Sequence, residues 1–269
     1  MATNGDYPLI EVGNKNFAEA AVVIIGAGIS GKLDGTNMNV YRDQLKSGGL
    51  GGTWRDNKYP GCCCDINSHL YSYSFEQNPN WSRLYPNQEE ILRYLHGVAE
   101  KYKLFRFIRF NSAVEEARWD DKTRKWKTAI KVGLGSKDAE FIDHYTIISD
   151  FLVSAVGQLN SPSYPSIPGI EDFHGKMIHT ARWDWTYDLK GKRIAVIGNG
   201  ATAAQIIPEI APDAAQLTVF QRTPNWVVPR LDTAIWKPAQ ILFKYFPLAL
   251  WKTKTPNGPN TPEQQASTC

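Results

Sequence analysis

The sequence predicts an α/β protein built from two similar units, and three observations carry that reading. A β-type apolar run, Val22-Val23-Ile24-Ile25, leads straight into the spacing Gly26-x-Gly28-x-x-Gly31. A second run, "RIAVI", leads into Gly198-x-Gly200-x-x-Ala203. Between them lie two alternating runs divided by a polar turn, the pattern of a β-hairpin. A strand that ends in a glycine loop and opens a helix receives a pyrophosphate on backbone N–H groups and the helix N-terminus. Two such loops in one chain describe two Rossmann-like dinucleotide-binding domains, both incomplete, with a β-hairpin or meander in the first.

Composition narrows the function classes. The 269 residues are 42% hydrophobic and 21% charged, which is ordinary for a folded protein of one or two domains. Thirty Lys and Arg against 27 Asp and Glu leave a formal charge of +3, too weak to argue for nucleic acid or an anionic membrane. The first residues, "MATNGDYPLIEVGNKN", show neither a basic region nor an apolar core of a signal peptide. The greasy run "ILFKYFPLALW" is too short to span a bilayer and carries Lys244 and Pro247, so no transmembrane segment is expected and a core or interfacial helix is. Three of the four cysteines, Cys62, Cys63 and Cys64, are consecutive, and neighbours rarely meet disulfide geometry. The expected compartment is therefore reducing, the cytoplasm. His174 and His179 with these cysteines lack a C-x-x-C pair, so no metal site is expected.

Along the chain, residues 1–19 read as a polar leader and 20–160 as the first unit. Residues 55–86 are loop-rich, with Pro60-Gly61 and Asn78-Pro79. "NQEEILRYLHGVAEKY" follows with Ile91, Leu92, Leu95, Val98, Ala99 and Tyr102 on one helical face. Asn87 is placed to cap it and Glu90 to complete a capping box. The hairpin turns at residues 120–123, and "FLVSAVG" reads as a buried strand entering a proline-rich connector at 161–190. The second unit spans 191–252, and the proline-containing residues 253–269 read as a disordered tail.

The first loop also reads Gly26-x-x-x-x-Gly31-Lys32, the opening of a triphosphate loop. That loop needs Ser or Thr next, to ligate magnesium, and Leu33 stands there. The first loop is thus a dinucleotide site. In the second unit, Arg222 and Thr223 close the following strand, where an arginine receives a ribose 2′-phosphate and so favours NADPH over NADH.

The connector holds Phe173-x-Gly175-x-x-x-His179-x-x-x-Trp183-Asp184, and residues 51–75 read "GGTWRDNKYPGCCCDINSHLYSYSF". With the two glycine loops, in this order, these resemble Baeyer–Villiger-type (class B) flavin monooxygenases across most of residues 20–252. In tone they are similar to members from fungal secondary metabolism. The resemblance implies FAD on the first unit and NADPH on the second. It further implies a small-molecule ketone and dioxygen as substrates, with an ester or lactone as product. It places Gly26, Gly28 and Gly31 at the FAD pyrophosphate. Thr53, Trp54, Arg55, Asp56, Cys64 and Tyr71 match flavin- or ribityl-contacting positions, and Asp65 matches the active-site carboxylate as well as a cofactor contact. Gly198, Asn199, Gly200, Ala201, Thr202, Ala203, Ala204 and Gln205, with Arg222 and Thr223, match the NADPH site. Phe173, Gly175, His179, Trp183 and Asp184 match the interdomain fingerprint, where the implied role is coupling domain motion to cofactor handling. Read without the resemblance, Trp54 and Tyr71 are core aromatics, Asp65 caps a turn and His179 is structural.

Two features depart from the family pattern. Between Gly31 and Ser47 the fold needs a crossover helix and a returning strand, and "KLDGTNMNVYRDQLK" is short, polar and poor in helix formers. Leu45 stands where the ribose carboxylate is expected, with Asp43 as the substitute. The resemblance also implies a longer chain, whose remainder carries the catalytic arginine that partners Asp65. Two alternatives to an active monooxygenase stay open on these grounds. One is a non-catalytic remnant or binding partner of a full-length relative. The other is a FAD- and NADPH-dependent thiol–disulfide reductase, which a C-x-x-C pair would favour.

Overall fold

The computed structural model describes residues 19–30, 38–41, 49–132, 144–158, 161–227 and 229–246. Gly31, Lys32, Leu33, Asp43, Leu45 and the tail expected at 253–269 lie outside these residues, as does the leader apart from the backbone of Glu19. The chain divides into two compact units, one of residues 1–56 and 95–161, the other of 57–94 and 162–269. Residues 57–94, read from sequence as part of 20–160, thus belong with the C-terminal residues.

The first unit is a six-stranded mixed sheet in the order β3-β2-β1-β6-β5-β4. Strand β1 (Glu19–Ile25) pairs in parallel with β2 (Met38–Tyr41) on one side and with β6 (His144–Ser154) on the other. Strand β3 (Ile108–Arg109) extends the parallel half. Strands β4 (Ser112–Asp120) and β5 (Lys125–Val132) form the expected hairpin, and β5 pairs antiparallel with β6 to make a meander. At the hairpin turn Asp120 Oδ1 accepts from the Lys122 N–H at 2.9 Å, a side-chain turn in place of a backbone one. Alternation along β1 buries both faces, as a central parallel strand requires. Ile24 joins Ala27, Leu50, Ala99, Leu104 and Ile108, whereas Val23 and Ile25 join Ile130, Val132, Tyr145 and Ile147.

Two expectations for this unit need correction. The chain does return along a parallel strand, and it does so by Met38, opposite Val22, earlier than the position of Leu45 presumed. Hydrogen bonds from β1 define this strand, so a segment of four residues suffices. The strand read as buried at 151–156 is exposed at Phe151 (66%) and Val156; the covered part of β6 is its earlier half, Tyr145, Ile147 and Ser149.

In the second unit β7 (Arg193–Ile197) and β8 (Gln216–Phe220) pair in parallel across helix α3 (Ala201–Ile210). Helix α3 buries Ala203, Ile206 and Ile210, the expected period of one helical face. Helix α2 (Gln88–Lys101) starts where the sequence places it, with Asn87 Oδ1 accepting from the Glu90 N–H at 2.9 Å. The reciprocal half of the capping box is absent from the described bonds. Glu90 turns instead to Ser82, accepting from its N–H at 2.8 Å and its hydroxyl at 2.6 Å. The apolar run after residue 236 forms helix α4 (Lys237–Tyr245), which has Pro238 in its first turn and buries none of its residues. Its Gln240 Nε2 donates to the Trp81 carbonyl at 3.0 Å, and Phe243 meets His69 edge-on.

Two glycines offer opposite tests. At Gly26, φ is +116° and an added Cβ would lie 2.1 Å from the Ala155 carbonyl oxygen, a backbone atom with no freedom to retreat. Gly97 lies inside α2 with open space around it. Gly26→Ala is expected to cost about 2 kcal/mol or more, and Gly97→Ala to add about 0.5–1 kcal/mol. Thermal melts of the two variants check this, and a shared direction of change would refute the packing described.

Candidate functional site

Within the first unit, the loop after β1 is packed backbone to backbone. Gly51 donates its N–H to the Ala27 carbonyl at 3.0 Å, and a Cβ on Gly52 (φ +55°) would meet Gly28 Cα at 2.9 Å. Only glycines allow this approach, so the surface near Gly28 is lined by main chain. Helix α1 (Thr53–Asp56) grows directly from it, the N–H groups of Arg55 and Asp56 both donating to Gly52 at 3.0 Å. Trp54 is buried, Thr53 exposed, and the Arg55 guanidinium lies across Gly49, where an added Cβ would be 2.2 Å from Cζ. The structure therefore gathers Gly26, Gly28 and residues 53–56 around one glycine-lined turn.

The second unit repeats the opening geometry. Gly198 has φ +111°, and its N–H donates to the Phe220 carbonyl of the neighbouring parallel strand at 2.9 Å. An added Cβ on Gly198 or Gly200 meets nothing within 4 Å, so the space above this loop is open. Gly200 precedes the first turn of α3, whose Ala201, Thr202 and Ala203 are small. Asn199 ties the loop to the end of β8. Its Nδ2 donates to Gln221 Oε1 at 2.9 Å and to the Thr223 carbonyl at 2.6 Å, and its carbonyl accepts from Asn225 at 3.1 Å. Those bonds hold Arg222 and Thr223 beside the loop, and both are exposed.

Cys64, Asp65 and Tyr71 belong to this second unit. The Tyr59 hydroxyl donates to Gln205 Oε1 at 2.8 Å, and Gln205 Nε2 donates to the Cys63 carbonyl at 3.1 Å. On the far side the Arg230 guanidinium donates to Cys63 Sγ. All three thiols are buried, and burial pushes Cys62 up to about 11 and Cys64 up to about 12. Burial also raises Cys63, against the pull of Arg230. These cysteines are protonated, poor nucleophiles at neutral pH. Asp65 and Ala204 are exposed, and Tyr71 is half-buried with its N–H on the Asn67 carbonyl at 3.0 Å.

The 173–184 fingerprint organises itself locally. The Phe173 ring folds over Gly175, where an added Cβ would sit 2.5 Å from Cζ. His179 Nδ1 accepts from the Ala181 N–H at 3.1 Å, capping a short 3₁₀ turn, and its ring meets Tyr164 edge-on. Trp183 meets Trp185 edge-on. Lys176 Nζ reaches Asp184 at 2.7 Å and Thr186 donates to the same carboxylate, which together hold the Asp184 carboxyl down at about 2. No cluster of ligands for a metal occurs among the described residues.

The sequence profile described as flavin-binding monooxygenase-like matches residues 19–253. The chain belongs to the flavin-binding monooxygenase-like family. Among members of this family, the FAD-binding monooxygenase ktnD of Aspergillus niger is 53% identical over 247 residues, covering 89% of this chain and 40% of that protein. A Baeyer–Villiger monooxygenase of Streptomyces coelicolor is 43% identical over 84% of this chain and 42% of its own length. Of solved structures, ε-caprolactone-bound cyclohexanone monooxygenase in the Loose conformation superposes with TM-score 0.76 at 32% identity, over 87% of this chain and 46% of that one. Oxidized steroid monooxygenase bound to NADP gives 0.72 at 36% identity, over 84% and 43%. The chain thus spans less than half the length of these flavin monooxygenases.

Sequence reasoning missed Arg83 and Asp232. The Asp232 side chain is 5% exposed, and its carboxylate accepts from Arg83 Nε at 2.7 Å, Arg230 Nη2 at 3.3 Å and the Tyr85 N–H at 3.3 Å. The only sequence signal is the "PRLD" run, which reads as an ordinary solvated loop. Asp232→Ala would remove the shared acceptor of two half-exposed guanidinium groups and is expected to cost about 1 kcal/mol in denaturant unfolding. For Asp184, whose carboxyl is lowered from 3.8 to about 2, the contribution to stability is complete above the unfolded value and lost as pH falls through 2. The melting difference between wild type and Asp184→Asn should therefore shrink between about pH 4 and pH 2; a constant difference would contradict the Lys176 pairing.

Proposed function

We propose that this protein uses FAD and NADPH to insert one oxygen atom of dioxygen into a small-molecule ketone, a Baeyer–Villiger oxidation yielding an ester or lactone. The observation that carries this reading is the repeated loop: two parallel strands, each ending in a glycine with φ near +111° to +116° beside a neighbouring strand. Two dinucleotide-binding units on one chain match a hydride donor and a hydride acceptor. The names of the relatives, Baeyer–Villiger monooxygenase among them, support the oxygen-insertion step. The fungal relative of highest identity quoted above supports a place in secondary metabolism.

The residues present fit both groups. Around Gly28 and Gly52 the surface is bare main chain, as close approach of a pyrophosphate demands. Gly26, Gly28 and Gly31 would hold the FAD pyrophosphate, with Thr53, Trp54, Arg55 and Asp56 following it; the family match, and not a contact between the units, assigns Cys64, Asp65 and Tyr71 of the second unit to the flavin and ribityl chain. The open space above Gly198 and Gly200 and the small first turn of α3 suit the NADPH pyrophosphate, with residues 198–204 as its cradle, while the amide of Gln205 is taken up by Tyr59 and the Cys63 peptide. The bound flavin supplies the redox and oxygen chemistry. Arg222, presented by the Asn199 bonds, would pair with the 2′-phosphate and select NADPH. Asp65 would set negative charge beside the reacting centre. The local ties among Phe173, Gly175, His179, Trp183 and Asp184 suit a connector that keeps its own shape while cofactors are exchanged. The buried, protonated thiols give no support to disulfide exchange.

Two measurements test this reading. Arg222→Ala should weaken NADPH binding on the order of tenfold or more, the loss of a charge-assisted bond, and leave NADH binding unchanged; equal losses would remove Arg222 from the phosphate site. Reaction with isotopically labelled dioxygen, NADPH, FAD and a panel of cyclic ketones should give an ester carrying one labelled oxygen. NADPH consumption that never depends on a ketone would overturn the oxygenation.

A further inference from the structure

We propose that Gln205 is a positioning residue that fastens the Asp65 loop to helix α3, so that the helix receiving the second dinucleotide also sets the place of the carboxylate. The proposal rests on the assignment of Asp65 and the α3 loop made above. Its support is a set of contacts within one unit. Gln205 lies in the second turn of α3, past the glycine loop. Its carboxamide treats the Cys63 peptide as a strand partner would, Oε1 accepting from the N–H at 3.4 Å and Nε2 donating to the carbonyl at 3.1 Å. The Tyr59 hydroxyl donates to the same Oε1 at 2.8 Å. Both ends of the amide are thereby used, and a side chain so engaged is not turned towards a nucleotide.

The main chain between these points is laid on the helix. Gly61 has φ +75°, and an added Cβ would lie 2.8 Å from the Gln205 carbonyl and 2.7 Å from Glu209 Cγ. Backbone bonds then carry the constraint onward: the Cys62 N–H donates to Tyr59, the Gln88 N–H to Cys62, and the Cys64 N–H to Pro86. Asp65 follows immediately, its carboxylate exposed. Its backbone is therefore held through Cys63 and Cys64 while its side chain stays free to face solvent or a ligand. Two side-chain ties join α3 to this segment: the Tyr59 hydroxyl meets Thr202 in the first turn, and Gln205 grips the Cys63 peptide two residues before Asp65, so a displacement of the helix start on pyrophosphate binding reaches the Asp65 end through Gln205.

The test uses the whole chain and reads the cysteines, which sit inside the fastened loop. Alkylation of Cys62, Cys63 and Cys64 by N-ethylmaleimide is followed by mass spectrometry with and without NADP⁺, and NADP⁺ binding is measured separately by equilibrium dialysis. Gln205→Ala is expected to raise the alkylation rate on the order of fivefold or more, the worth of about one net hydrogen bond. In the wild type NADP⁺ should slow alkylation; in Gln205→Ala it should still bind and no longer change the rate. Gln205→Glu, which keeps the acceptor for Tyr59 and the Cys63 N–H, should restore part of the protection, as a general loosening of the fold would not. Tyr59→Phe gives a second variant should Gln205→Ala fail to fold, with a smaller rise expected. Unchanged rates in Gln205→Ala, or NADP⁺ protection that survives it, would overturn the proposal. Wild-type chain that binds no NADP⁺ at all would instead defeat the assignment of the α3 loop, and the rates without NADP⁺ would then decide the role of Gln205 alone.

Discussion

Steric exclusion at Gly26 is the constraint on which the first unit depends. A side chain there would occupy the position of the Ala155 carbonyl, so the loop passes beside the parallel neighbour of β1 only because glycine stands at the end of the strand. From this turn the chain reaches Ala27, whose carbonyl receives Gly51, and Gly28, which lies against Gly52. The helix bearing Trp54 and Arg55 starts from that second loop. One missing Cβ thus fixes the relation of strand, loop and short helix, and leaves main-chain groups at the surface. Gly198 repeats the conformation with φ +111°, but an added Cβ there meets nothing within 4 Å, so in the second unit the backbone angle alone, without steric exclusion, calls for glycine.

The second unit adds a feature that the glycine loops do not supply. Residues 57–64 run along α3, pinned by Gln205 on one side and by Arg230 with Asp232 on the other. Buried thiols fill the space between. Desolvation raises their pKa and keeps them protonated, which makes them packing groups, while Asp65 next to them stays exposed. Chemistry and support are thus divided among adjacent residues of one short segment.

Much of this was legible in the sequence because it depends on local rules. The strand and glycine turn that open the first unit, the strand–glycine–helix of the second, the helix capped by Asn87 and the hairpin turning at Asp120 all lie where periodicity and turn chemistry place them. Strand β2 was harder to read: four residues interrupted by Asn39 are too short a run to signal a strand, and the conformation is imposed by pairing with β1. Glu90 left the capping box for Ser82 because a loop eight residues earlier offers two donors, a tertiary fact. Phe151 read as buried since apolar runs are usually core, yet the described residues leave it exposed. The bond from the Gln205 side chain to the Cys63 peptide spans 142 residues of sequence and so had no local signal. Asp232 was invisible for the same reason, since its partners come from Arg83 and Tyr85. Among the described residues no helix is long and apolar enough to cross a membrane.

The most direct test of the account is the visible absorption spectrum of the purified chain after incubation with excess FAD and removal of the unbound fraction. The account predicts a retained flavin band, because the glycine-lined turn around Gly26, Gly28 and Gly52 is formed in this chain. A protein that remains colourless, while circular dichroism shows the sheet to be folded, would contradict the assignment of that turn to FAD.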